Sequence, residues 1–79
     1  MDKQVLRNIE RLKEDMFLAE RKVADFISSN PYEVVELNVS DLADKSGASD
    51  ATVIRLCKRL GYKGFFQMKL ALAEELGRY

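Results

Sequence analysis

The chain has 79 residues, of which 47% are apolar and 33% are charged, and its 13 basic side chains are balanced by 13 acidic ones. This mixture is typical of one small folded domain and excludes a disordered tail or a uniformly basic nucleic-acid binder. With a single cysteine and no histidine, an internal disulfide is excluded and neither a metal site nor another cofactor is expected. The charged N-terminus excludes a signal peptide, and no apolar run is long enough to span a membrane, so we expect a cytoplasmic protein.

Apolar residues recur every three to four positions along the first half of the chain, which predicts helices. A first helix is marked by Val5, Ile9, Leu12 and Met16, and a second, from about Leu18 to Ser29, by Ala19, Val23, Phe26 and Ile27. The second helix should end before Pro31, because a proline disfavours helical geometry at the residue that precedes it. Asn30 can then cap a short helical turn that has Pro31 at its first position.

The second half of the chain predicts three further helices. Ser40 is the expected N-cap of the first, and Gly47 should end it, because glycine adopts the left-handed cap conformation without steric cost. Ser49 should cap the next helix, which runs to Leu60. The last helix spans about residues 65–76 and has two apolar stripes, one formed by Phe65, Met68, Leu72 and Leu76 and the other by Phe66, Leu70 and Ala73.

No segment alternates polar and apolar residues as a strand would, so the predicted fold is all-α: a compact five-helix bundle plus a short helical turn. Within it, two short helices joined by a glycine-containing turn indicate a helix-turn-helix of homeodomain-like type. Ala43 supplies the small residue at the helix crossing, and Ala48 fills the gap after the turn. Ser46 departs from the pattern, since an apolar residue is usual there. The second helix buries one stripe, formed by Val53, Leu56, Cys57 and Leu60.

Charge is segregated along the chain although the total is zero. Residues 1–44 contain six Lys or Arg against ten Asp or Glu, whereas residues 45–71 contain six against Asp50 alone. The second segment therefore predicts a basic patch on the helix-turn-helix, which suits a polyanionic partner such as double-stranded DNA.

Opposite the buried stripe, the second helix is predicted to turn a polar face outward, formed by Ser49, Asp50, Thr52, Arg55 and Arg59, with Ala51, Ile54 and Lys58 at its flanks. Arg55 is the candidate for reading a guanine, because its planar fork matches the two acceptors of that base. Ser49 and Thr52 are candidates for a base or a phosphate, and the Ser40 helix start for a phosphate. Lys58, Arg59 and Lys63 are candidates for sequence-independent attraction to phosphates.

Each candidate also has an ordinary structural explanation. Ser49 is needed as a cap in any case, and Lys58 and Arg59 suit the negative end of a helix dipole. Arg55 on an unremarkable helix would be a solvated surface charge. Asp50 either favours the helix N-terminus or repels phosphate while accepting from a cytosine amine, and the sequence does not decide between these roles.

Residues 18–76 resemble the N-terminal domain of the RpiR-type transcriptional regulators of bacteria. The matching segments are "AERKVADFI" before "NP", "LA" ahead of the turn glycine, "SDATVIR" at the start of the recognition helix, and "LGYKGF" after it. The resemblance implies that Ser49, Thr52 and Arg55 contact DNA. It also implies a longer regulator of sugar metabolism, in which a sugar-isomerase-like domain that is absent here binds a phosphosugar effector and helps dimerisation.

Three functions are weighed against one another. A sequence-specific DNA-binding domain, working as a homodimer, is favoured by the basic segment and the motif. A helical protein–protein interaction module without DNA binding is the alternative, supported by the zero net charge and the broad apolar face of the last helix. An enzyme is not expected, because histidine, a metal cluster and a phosphate-binding loop are all lacking. Self-association is predicted from the stripe of the first helix and the doubled stripe of the last.

Overall fold

The computed structural model describes residues 4–77, and in this range helices follow one another without a strand. They are α1 (Val5–Leu12), α2 (Leu18–Ser29), α3 (Pro31–Val34), α4 (Val39–Ser46), α5 (Asp50–Arg59) and α6 (Phe65–Glu75), with a 3₁₀ turn at Lys13–Asp15. The all-α prediction is confirmed: five longer helices form the bundle, and α3 is the short helical turn. None of the helices in this range is long and apolar enough to cross a membrane.

The core lies where α2 packs against α4 and α5, while α1 and α6 pack against each other beside it. Its largest fully buried apolar side chains come from all six helices: Val5, Ile9, Val23, Ile27, Val34, Leu42, Val53, Leu56, Leu60, Met68 and Leu72. The stripe of the first helix is thus part of this core, where Val5 and Ile9 are 0% and 1% exposed. It therefore offers no surface for self-association.

The buried face of α2 differs from the predicted stripe in two places: Ala24 is fully buried while Phe26 is only partly buried, and the start of the face is shifted by one residue. Ala19 is exposed, whereas Glu20 is 0% exposed. The backbone amide of Phe17 donates a hydrogen bond of 3.0 Å to Glu20 Oε1, so this carboxylate caps the helix start from within. A hydrophobicity pattern assigns a carboxylate to the surface, so it predicts Ala19 inside and misses Glu20.

Two predicted helix caps also need correction. Asn38, not Ser40, is the N-cap of α4, and its Oδ1 accepts from the amide of Asp41 at 2.8 Å. Asn30 does occupy the N-cap position of α3 but makes no side-chain cap bond there. Its Nδ2 instead donates to the carbonyl of Phe26 at 3.2 Å, which satisfies the end of α2.

The two apolar stripes of α6 differ in how deeply they are buried. Met68 and Leu72 are fully buried, and Phe65 and Leu76 pack against the core. On the other stripe, Phe66 is 61% exposed and Leu70 is 50% exposed. This second stripe is the part of the predicted self-association surface that remains accessible.

Candidate nucleic-acid interface

The turn between α4 and α5 has the geometry that a helix-turn-helix requires. Gly47 has φ of +77°, in the left-handed region. The amide of Gly47 donates to the carbonyl of Asp44 at 3.2 Å, and the amide of Ala48 donates to that of Ala43 at 2.9 Å. This pair of bonds is the Schellman arrangement, which satisfies the last carbonyls of α4 while reversing the chain. The predicted turn, with Ala43 buried at the crossing, is confirmed.

Ser46 is compatible with this turn although its side chain is polar. Its hydroxyl donates to the carbonyl of Leu42 at 2.7 Å and lies 3.2 Å from that of Ala43. A serine that bonds back to its own helix hides its polarity from the core. The departure from the motif therefore leaves no unsatisfied polar group.

Replacing Gly47 with alanine is expected to lower the free energy of unfolding by about 1–2 kcal/mol. An added Cβ meets no atom within 4 Å, so the loss comes from left-handed backbone geometry alone. Chemical denaturation measures it. Gly64→Ala is the matched control, because φ at Gly64 is −175° and the new Cβ would lie in ordinary contact with Gln67. Equal stability losses in the two variants would contradict the backbone explanation.

The inner face of α5 is the predicted one. Val53, Leu56, Cys57 and Leu60 are at most 1% exposed. Burial raises the pKa of the Cys57 thiol to about 12, so this thiol stays protonated and unreactive at neutral pH. After the helix, Gly61 has φ of +100°, and the amide of Tyr62 donates to the carbonyl of Cys57 at 3.0 Å.

The outer face of α5 is rotated from the predicted one. Apart from Asp50 at the start of the helix, its exposed positions are Ala51, Ile54, Arg55 and Lys58, which follow the spacing of one helical stripe. Thr52 is only 6% exposed, so the prediction that it projects outward is wrong. Arg59 is partly buried on the same flank as Thr52, seven residues away. Strict helical spacing from the buried stripe places Ala51, Arg55 and Lys58 nearest the centre of the outer face and Ile54 at its edge.

Ser49 and Thr52 form one hydrogen-bonded unit at the start of α5. Ser49 Oγ accepts from the amide of Thr52 at 3.1 Å, which confirms Ser49 as the N-cap. The two hydroxyl oxygens lie 2.9 Å apart. Because Thr52 is nearly buried, its hydroxyl fixes the position of the Ser49 side chain, which remains exposed.

Asp50 is bonded to α4 across the turn. The hydroxyl of Ser40 donates to Asp50 Oδ2 at 2.9 Å, and both side chains are exposed. The contact joins the starts of α4 and α5, so Ser40 has a role that the sequence did not suggest. The other carboxylate oxygen of Asp50, Oδ1, makes no hydrogen bond to residues 4–77.

The six cations of residues 45–71 fall into two groups. Three are engaged within the domain: Lys45 lies 3.0 Å from Glu33, Lys69 donates to the carbonyl of Leu37, and Arg59 lies 3.0 Å from Glu20. The other three have no hydrogen bond or ion pair with residues 4–77: Arg55, Lys58 and Lys63. All three are exposed. Within this segment, the positive charge available to a ligand therefore lies on α5 and the loop that follows it.

A family comparison agrees with this geometry. The model of the helix-turn-helix domain of the rpiR family matches residues 3–78. The chain belongs to the rpiR family of helix-turn-helix domains. It is thus a helix-turn-helix domain of the kind found in transcriptional regulators, as the resemblance of residues 18–76 predicted, and no comparison supports a protein–protein module without DNA binding.

Solved structures of this rpiR-family domain share its fold. The N-terminal domain of the transcriptional regulator ybbH from Bacillus subtilis is 39% identical, with a TM-score of 0.88 over 94% of this chain and 90% of that one. The NanR protein of Vibrio vulnificus, solved in complex with ManNAc-6P, is 36% identical, with a TM-score of 0.90 over 94% of this chain and 28% of that one. Both confirm the all-α helix-turn-helix architecture.

Curated relatives of this rpiR-family domain are longer proteins. The transcriptional regulator HexR of Pseudomonas aeruginosa is 34% identical over 74 residues, which are 94% of this chain and 26% of HexR. The chain spans about a quarter of the length of the curated regulators it matches. Several relatives are named as transcriptional regulators, and others, from Burkholderia and Paraburkholderia, are named bifunctional protein glk and match over 11% of their length. No cluster of His, Cys, Asp or Glu within residues 4–77 is arranged to hold a metal ion.

Proposed function

We propose that the domain binds operator DNA sequence-specifically, with α5 in the major groove. The observation that carries the proposal is the outer stripe of α5. There Arg55 and Lys58 are exposed and have no hydrogen bond or ion pair with residues 4–77, beside an exposed Ile54. Arg55 reads a guanine through its two acceptors, and Ile54 contacts a thymine methyl group. Lys58 and Lys63 bind phosphates on either side.

The start of α5 supplies the remaining contacts. Ser49, held by Thr52, donates to a base or a phosphate, so Thr52 acts by fixing its neighbour. Asp50 Oδ1 accepts from a cytosine amine, while its other oxygen is held by Ser40. Because Ser40 already donates to Asp50, it approaches phosphate through the backbone amide at the start of α4. Arg59 joins the phosphate contacts from the α2 side.

The wider protein is proposed to be a cytoplasmic regulator of sugar metabolism. Support comes from NanR, whose structure contains ManNAc-6P, and from the greater length of the relatives. We place a phosphosugar effector site in a further, sugar-isomerase-like domain. Two copies of the chain are proposed to act together, because a single helix-turn-helix covers few base pairs. The exposed stripe formed by Phe66 and Leu70 offers a surface on which the two copies could meet.

Selection of bound sequences from a random double-stranded DNA pool tests this function. A defined sequence containing a G·C pair opposite Arg55 is the expected result. Inverted half-sites about one helical turn apart would support the proposal that two copies bind together, and a single unrepeated site would refute it. Recovery of no preferred sequence would contradict sequence-specific binding.

Replacing Lys58 with alanine is expected to weaken binding to all DNA sequences alike. Losing one phosphate contact should reduce the slope of log K against log salt concentration by about 0.9. Fluorescence anisotropy at several salt concentrations measures that slope. Lys45→Gln is the matched control, because Lys45 is paired with Glu33 and lies off α5. A Lys58 variant with the wild-type slope would exclude a phosphate contact at this position.

A further inference from the structure

A buried carboxylate lies beside the recognition helix. Glu20 on α2 is 0% exposed, and its Oε1 lies 3.0 Å from Arg59 Nε on α5. The same oxygen accepts from the amide of Phe17, while Glu20 Oε2 has no hydrogen-bond partner among the described residues. Capping alone does not explain why this carboxylate is buried, because burial costs desolvation free energy and an exposed carboxylate can cap a helix as well.

Arg59 is divided between the protein interior and the solvent. Its Nε is buried beside Glu20 in an ion pair that lacks hydrogen-bond geometry, yet the side chain as a whole is 31% exposed. The terminal guanidinium nitrogens are neither buried nor hydrogen-bonded to residues 4–77. The guanidinium carbon lies 5.7 Å from the centre of the Phe17 ring, so that ring packs near the charged group. The inner edge of the guanidinium is therefore held while its outer edge remains available.

Stability does not explain this arrangement well. Burying two charges costs desolvation free energy that their attraction only partly repays, and an apolar pair of similar volume is often as stable. What the pair does provide is orientation, because one contact to Nε and one ring near the guanidinium restrict a long, flexible side chain. Ordering such a side chain before binding removes part of the entropy cost of the bound state.

We propose that Glu20 is a positioning residue for DNA binding, which holds Arg59 so that its terminal nitrogens meet a backbone phosphate beside the C-terminal end of α5. Glu20 itself does not touch DNA. A planar fork fixed in this way binds two phosphate oxygens at once, which a mobile lysine does not. The proposal rests on the DNA binding proposed above and adds a residue outside the helix-turn-helix to it.

A double-mutant cycle with Glu20→Gln and Arg59→Ala tests the proposal on DNA binding rather than on folding. Glutamine keeps an acceptor for the Phe17 amide but lacks the charge that holds Arg59. Glu20→Gln is expected to weaken operator binding by about two- to fivefold, the size of one partly exposed charge pair. In the Arg59→Ala background, Glu20→Gln should weaken binding no further. Arg59→Lys should bind more weakly than wild type despite its retained charge.

Ile9→Val is the control for a general loss of stability, since Ile9 is buried in α1, which packs mainly against α6 and α2. It should lower the unfolding midpoint and leave the affinity for operator DNA unchanged. Tighter DNA binding or a steeper salt slope in Glu20→Gln would overturn the proposal, because Glu20 would then be sequestering Arg59. Wild-type affinity in both Arg59 variants would also overturn it while leaving the proposed function intact. Failure of the wild-type domain to bind DNA would instead refute the proposed function.

Discussion

Replacing Leu56 with alanine is expected to lower the free energy of unfolding by about 2–5 kcal/mol. Leu56 is 0% exposed and belongs to the same buried cluster as Val23 of α2 and Leu42 of α4. Truncation removes apolar contacts and leaves a cavity where three helices meet. Small domains are stable by only about 5–15 kcal/mol, so this single change removes a large share of the total.

The Cys57 thiol offers a direct measurement of this loss. Since it is buried and its pKa is raised to about 12, a thiol reagent reacts with it only when α5 opens. A loss of 2 kcal/mol should speed labelling at fixed pH by about thirtyfold. Leu70→Ala is the control, because Leu70 is a half-exposed leucine on α6 and should cost no more than about 0.5 kcal/mol. Equal labelling rates in the two variants would contradict the assigned core.

Sequence patterns predicted the parts of the fold that follow from helical spacing and backbone conformation. The buried stripe of α5 was predictable from apolar residues at helical intervals, and the turn from Gly47 followed by a capping serine. Both signals are local, since they depend on a few neighbouring residues. The same holds for the two stripes of α6, although only the structure shows that Phe66 and Leu70 lie outside.

Polar side chains account for the places where the structure differs from the sequence predictions. Thr52 is buried with its hydroxyl bonded to Ser49, and Glu20 is buried with one oxygen bonded to the start of α2 and paired with Arg59, so these contacts offset part of the cost of burying polar groups. A pattern that assigns polar residues to the surface misplaces both. Likewise, the contact between Ser40 and Asp50 joins residues ten positions apart, so it depends on how α4 and α5 cross. Of the three cations predicted to bind phosphates, only Arg59 forms an ion pair within residues 4–77. The sequence could not show this pair, because Glu20 lies on a different helix.

Replacing Arg55 with alanine is expected to weaken binding to the selected operator by about 1–3 kcal/mol and to abolish the preference at one base pair. Arg55 is exposed near the middle of the outer stripe of α5 and has no hydrogen bond or ion pair with residues 4–77. Its loss therefore leaves no partner unsatisfied inside the domain, and stability should stay within about 0.5 kcal/mol of wild type. The effect on DNA binding can thus be separated from folding.

Two comparisons distinguish base reading by Arg55 from simple attraction. Arg55→Lys keeps the charge but loses the planar fork, so it should retain affinity for unrelated DNA while losing the preference for guanine. Lys58→Ala, one helical turn away, should weaken binding to all DNA sequences equally. Competition assays with operators changed at single base pairs measure both outcomes. If Arg55→Ala instead weakens binding to every sequence by the same factor, Arg55 binds a phosphate. Base reading by α5 must then depend on Ile54 and Asp50, which are exposed on the same helix.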